Sequence, residues 1–221
     1  MKKLLGLVLL VAMLMTNFAF AENANKKFDL DVFTSQKRVE DPKYNQYSVS
    51  LDDMEARGFI SLNKTIFPDS TGYAYDHIGA GMWLYVCKPD IYLYQYGTKQ
   101  FVPFPRIWFE YDGKELYTYD TAIFKIGDTT YTFDNIYVSY DTSNWNYDTK
   151  WSSKSVCICD REYIDFMEAW IANGTASIKI RLKGNRNTRD FACPQKVQKD
   201  ILLMFQNFKD AGGYAYLPTL N

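Results

Sequence analysis

The chain carries one histidine, His77, and four cysteines, Cys87, Cys157, Cys159 and Cys193. A serine or cysteine triad routes its proton through an imidazole, so His77 is the base any such mechanism has to use. The rest of a triad is missing around it. Asp76 precedes it in a turn-rich stretch, and no serine stands in a Gly-x-Ser-x-Gly elbow. His77 reads as a surface or turn histidine. The cysteines lack the paired C-x2-C arms of a structural zinc site. Their even number suits disulfides in an oxidising compartment. Cys157 and Cys159 stand two apart on a predicted strand, so their side chains point one way. Bridging them to each other closes a strained ring. The expectation is that they reach separately to Cys87 and Cys193, in either order. No residue set calls for a metal or a cofactor.

Paired carboxylates are the remaining route to catalysis. Asp52, Asp53, Asp141, Asp148, Asp160 and Glu162 all lie in or near predicted turns or helix starts. The local backbone already accounts for acids there, and nothing singles out a pair. A hydrolase using two of them is the enzymatic alternative. Asp141 to Asp148 shows some spacing of a calcium loop. However, Trp145 takes the fifth position, no glycine follows and Ser152 stands at the twelfth, so it is not an EF-hand.

Binding chemistry has better candidates among the 18 Tyr, 15 Phe and 5 Trp. Tyr92, Tyr94 and Tyr96 alternate with Ile91, Leu93 and Gln95, which puts three phenols on one strand face. Such a row is either a platform for stacking sugars or peptides, or a second core layer. Trp145, Tyr147 and Trp151 stand in the polar run 141–153, read as a loop. They either mark a recognition surface or fold back over the core edge.

Compartment follows from the start of the chain. Lys2 and Lys3 precede an apolar run from Leu4 to Met15, and Ala19-Phe20-Ala21 has the small-x-small form of a cleavage site. The run is shorter than the roughly 20 residues of a membrane span. Residues 1–21 are therefore expected to be a removed export signal, and 22–221 a single β-rich domain in the periplasm or outside the cell. The whole chain has a net charge of −1, and without Lys2 and Lys3 the balance is 23 basic against 26 acidic side chains. No basic excess exists for nucleic acid, and no polybasic cluster for anionic lipid. Membrane insertion after cleavage is not expected.

These side chains must be positioned by a predominantly extended chain. Strands are predicted at 28–33, 46–51, 58–67, 80–87, 91–96, 106–111, 114–119, 122–126, 129–133, 136–140, 154–159 and 175–183, with a brief one at Phe191. Pro103 and Pro105 are expected to break any strand between them. Two hairpins stand out. Asp112-Gly113 places Phe109 opposite Leu116, and Gly127-Asp128 places Phe124 opposite Tyr131 and Ala122 opposite Phe133. In 175–183, Ala176, Ile178, Ile180 and Leu182 point in, while Ser177, Lys179, Arg181 and Lys183 point out. Asp160 caps a helix to Asn173 that Gly174 ends, with Tyr163, Phe166, Met167, Trp170 and Ile171 on its apolar face. A last helix opens at Pro194, carries Val197, Ile201, Met204, Phe205 and Phe208 on one stripe, and ends at Gly212-Gly213.

The fold class is α+β: a mainly antiparallel sheet or sandwich with two amphipathic helices near the C-terminus. The functional expectation is a non-catalytic exported module binding a macromolecule, protein or glycan. The other alternative is a structural or accessory envelope subunit.

Overall fold

The computed structural model describes residues 28–37, 45–52, 56–62, 74–79, 82–86, 89–96, 100–113, 116–145 and 148–218. The expected leader and Cys87 lie outside them. The fold is α+β, with two antiparallel sheets and the two longer helices near the C-terminus. The strands are β1 (Tyr47–Asp52), β2 (Arg57–Leu62), β3 (Ala74–Gly79), β4 (Met82–Val86), β5 (Asp90–Tyr96), β6 (Gln100–Gly113), β7 (Tyr119–Ile126), β8 (Thr129–Phe133), β9 (Tyr137–Trp145), β10 (Asp148–Ile158), β11 (Lys179–Gly184) and β12 (Thr188–Ala192). The helices are α1 (Asp31–Thr34), α2 (Ile164–Asn173) and α3 (Gln195–Asp210). An eight-stranded sheet runs β1-β2-β5-β6-β10-β9, with β4 also pairing β6 and β3 pairing β4. A four-stranded sheet runs β12-β11-β7-β8.

Local chemistry explains the elements that follow expectation. Gly127 takes φ +57° in the β7–β8 turn, which a side chain would resist. The register there is Phe124 opposite Tyr131 and Ala122 opposite Phe133, as predicted. Asp160 accepts the Glu162 amide at 2.9 Å and starts a 3-10 turn, Arg161–Tyr163, that leads into α2. Every residue of the predicted α3 stripe is buried, and Leu202 sits at its margin.

Five expectations are corrected. Phe28–Phe33 is no strand: the Asp29 carboxylate accepts the Asp31 amide at 2.9 Å, and the chain turns into α1. Pro103 and Pro105 do not break the chain but lie within β6, opposite Leu93 and Ile91. The Pro105 carbonyl accepts the Cys159 amide at 2.8 Å, so its backbone polar edge faces away from β5. Pro103, two residues back, shares that orientation, and neither ring removes a donor from the β5 ladder. Asp112-Gly113 closes no hairpin, because β4 and β10 occupy the two edges of β6 there. The Tyr117 carbonyl instead accepts Ser153 Oγ at 2.6 Å, and Tyr119 opens the other sheet. The described residues of the predicted loop 141–153 belong to the paired strands β9 and β10: Thr, Tyr and Trp suit strands whatever their polarity. Finally, residues 74–77 of the predicted turn region belong to β3, so His77 is a strand residue opposite Trp83.

The two sheets face each other across an aromatic core. Phe109 of β6 meets Phe124 of β7 with ring centroids 6.2 Å apart. Phe124 also contacts Phe166 at 5.0 Å and Trp170 at 5.9 Å, both on α2. Phe205 of α3 closes the cluster at 5.9 Å from Phe166 and from Trp170. From the next turn of α3, Phe208 packs on Phe28 at 5.9 Å. Buried Asn207 donates to the Tyr47 hydroxyl at 2.8 Å and exchanges two bonds with the Gln36 amide. This amide latch ties α3 to β1 and to the segment after α1.

Two outcomes follow. Phe124→Ala should cost about 3–5 kcal/mol in urea denaturation, because its ring touches both sheets and α2. Burial raises Tyr119 and Tyr163 to about 12, whereas unfolded tyrosine titrates near 10. Their contribution to stability is intact below about pH 10 and is lost between about 10 and 12, as the unfolded chain ionises first. Phenolate absorbance at 295 nm should rise together with loss of tertiary circular dichroism in that window.

Candidate functional site

The face of the eight-stranded sheet turned away from the core is built by strand alternation. In β6 the odd residues Ile107, Phe109 and Tyr111 are buried, so the even residues Phe104, Arg106 and Trp108 face outward. In β5 Ile91 and Leu93 are buried, and Tyr92 and Tyr94 face outward. In β2 Phe59 stands between buried Gly58 and Ile60. Register sets Phe59 opposite Tyr92, and Tyr92 opposite Phe104. The result is an aromatic surface spanning three strands.

Arg106 lies at its centre. The guanidinium carbon is 4.8 Å from the Tyr92 ring centre, 4.7 Å from Trp108 and 5.5 Å from Phe59. Asp90, directly opposite on β5, takes it in a two-bond fork of 2.7 Å each, from Nε and from Nη2. The side chains are only 11% and 17% exposed. A planar fork on a carboxylate fixes the guanidinium plane, and the ring quadrupoles favour the charge between them. Arg106 therefore acts as a rigid cationic spacer that holds the rings apart and oriented. Tyr92 and Tyr94 are 6.4 Å apart with planes 33° from parallel, and Tyr94 is 45% exposed.

The structure brings only some predicted residues together. Tyr92 and Tyr94 share the aromatic face; Tyr96 ends β5, with its side chain outside the described residues. Trp151 lies on the opposite face, since Ser153, Ser155 and Cys157 of its parity are buried. Its ring is 6.4 Å from Tyr140, which is 64% exposed. Trp145 ends β9 opposite Asp148; its side chain and Tyr147 are outside the description. Tyr92 and Tyr94 therefore lie on the face of the sheet opposite to Trp151. Phe59, Arg106 and Trp108 were missed. The signal for Arg106 and Trp108 is the even-residue alternation of 102–110, concealed by the two prolines.

The other chemistry is accounted for locally. Cys157, Cys159 and Cys193 are buried thiols. Desolvation raises all three, Cys193 to about 12, which keeps a thiol unreactive. The expected bridge from Cys157 or Cys159 to Cys193 is not formed, since all three are free thiols, and the one to Cys87 falls outside the described residues. The Asp160 carboxylate is engaged as a cap. Glu162 is exposed, and Asp52 ends β1. Asp141 and Asp148 are strand residues with side chains outside the description, as are the side chain of His77 and the whole of Asp53. Among the described residues no three His, Cys, Asp or Glu side chains converge, and no helix is long and apolar enough to cross a membrane.

No protein-family model, no curated protein and no solved structure matches this chain. The functional argument therefore rests on the geometry of the site.

Asp90→Ala should destabilise by about 1–3 kcal/mol, because it strands a largely buried guanidinium. Adding Arg106→Leu should recover part of that loss, since an apolar side chain needs no counter-charge. Urea unfolding of the single and double variants measures both.

Proposed function

We propose that the protein is an exported binding module whose aromatic sheet face stacks on a glycan or an extended polypeptide. The observation that carries this reading is the Phe59–Tyr92–Arg106–Trp108 array, locked by Asp90 and continued by the exposed ring of Tyr94. An aromatic ring offers a flat apolar plane with little rotamer entropy to lose, and a tyrosine adds a hydroxyl. A pre-oriented series of rings suits a repeating ligand, because each ring meets the next unit without rearrangement. The same features argue for binding rather than turnover: the face offers rings and a neutralised ion pair, with no free acid beside them in the described residues. The periplasm or the cell exterior is the proposed location, supported by the leader pattern of residues 1–21.

Affinity electrophoresis against a panel of soluble polysaccharides, with an extended-peptide library alongside, tests the reading. Tyr94→Ala should keep stability within about 0.5 kcal/mol. It should weaken the ligand found by at least tenfold, which corresponds to about 1.4 kcal/mol. A stable variant with unchanged retention would refute the aromatic face as the site.

A further inference from the structure

The outer face of the four-stranded sheet has a different chemistry. Alternation in β11 buries Ile180 and Leu182 and turns Lys179, Arg181 and Lys183 to solvent. In β7 it buries Ala122 and Phe124 and turns Ile123 and Lys125 the same way. Register lines these side chains into rows across the sheet. One row is Ala192, Lys179, Lys125 and Thr130; the next is Asp190, Arg181, Ile123 and Thr132. A groove of about 490 Å³ lies over them, lined by Lys125, Lys179, Arg181, Asp190, Ile123 and Thr130.

The charges on this face are not balanced. Arg181 is neutralised by Asp190 through two bonds of 2.6 Å. Lys125 and Lys179 stand directly opposite each other on adjacent strands. Cβ atoms in such pairs lie about 4.5–5.5 Å apart, and like charges there are destabilising. No carboxylate bonds either lysine among the described residues, and Thr130 beside Lys125 adds a hydroxyl rather than a counter-charge. This accumulation of cations belongs to a chain whose net charge is −1. A local conflict with no structural return is what a binding site leaves behind when its ligand supplies the missing charge.

We propose that this groove binds a small anionic molecule, whose carboxylate or phosphate bridges Lys125 and Lys179 while its flat apolar body rests on Ile123. The volume is that of a small-ligand site. Charge complementarity selects an anion, and the partly exposed Ile123 beside the lysine pair selects a ligand with an apolar part. The groove lies on the opposite side of the sandwich from the aromatic face, so it is a second site independent of the one above.

Methyl-resolved NMR of the mature chain tests it, with benzoate, phenyl phosphate, inorganic phosphate and neutral benzyl alcohol as probes. Benzoate or phenyl phosphate, or both, should shift the Ile123 methyl signal saturably, and the responding probe identifies the anionic group. Inorganic phosphate should bind at least fivefold more weakly, and benzyl alcohol should give no saturable shift. Lys125→Gln and Lys179→Gln should each weaken the responding probe at least fivefold. Each should also raise the thermal midpoint, because the repulsion is gone. The proposal is overturned if no probe saturates, if benzyl alcohol shifts Ile123 as strongly as the acids, if inorganic phosphate binds as tightly, or if either glutamine variant retains full affinity.

Discussion

The fold depends on one ring, Phe124. It lies in the middle of β7 and touches Phe109 of the facing sheet, Phe133 of the next strand, and Phe166 and Trp170 of α2. Edge-on and tilted contacts of this kind satisfy the ring quadrupoles while burying large apolar areas. Phe205 extends the cluster to α3, and the same helix carries Phe208 and Asn207 toward β1 and the N-terminal segment. Two sheets and two helices thus share a single core. Each strand can spend only one face on it, which leaves the other face of each sheet for the surroundings.

Those two outer faces differ because different residues occupy the outward positions. On the eight-stranded sheet they are rich in aromatic rings, and the arginine at their centre is paired and sandwiched. On the four-stranded sheet they are cationic, with a single carboxylate already engaged by Arg181. The first is suited to dispersion and stacking, the second to an ion. Neither property shows in the overall composition, which is nearly neutral. Segregation by strand parity produces both.

Legibility of the fold followed the range of the interactions. The β7–β8 hairpin was readable because a two-residue glycine turn sets the register by itself. The buried stripe of α3 was readable because its period is a property of the helix. The alternation expected over 175–183 held from Ile178 onward, with Lys179, Arg181 and Lys183 facing outward, whereas Ala176, expected to point in, is exposed and lies before β11. Asp112-Gly113 misled because a local turn preference loses to strand pairing on both edges of β6. The run 141–153 misled because polar composition was weighed above β propensity. Half of the aromatic site was visible as the tyrosine row. Its other half, Phe59, Arg106 and Trp108, needed the β2–β5 register and a β5–β6 register that passes through two prolines.

The sequence by itself determined the α+β class, the two C-terminal helices with their buried faces, the β7–β8 turn and the alternation of β5 and β11. All of these rest on period and local turn chemistry, which act within a few residues. Tertiary structure alone decided which strands neighbour one another. That choice set Asp90 beside Arg106, put Tyr92 and Trp151 on opposite faces, and brought Lys125 against Lys179. Such pairings join residues far apart in the chain, 54 positions for Lys125 and Lys179. They follow from how the whole core closes around Phe124, and no local pattern in the chain encodes them.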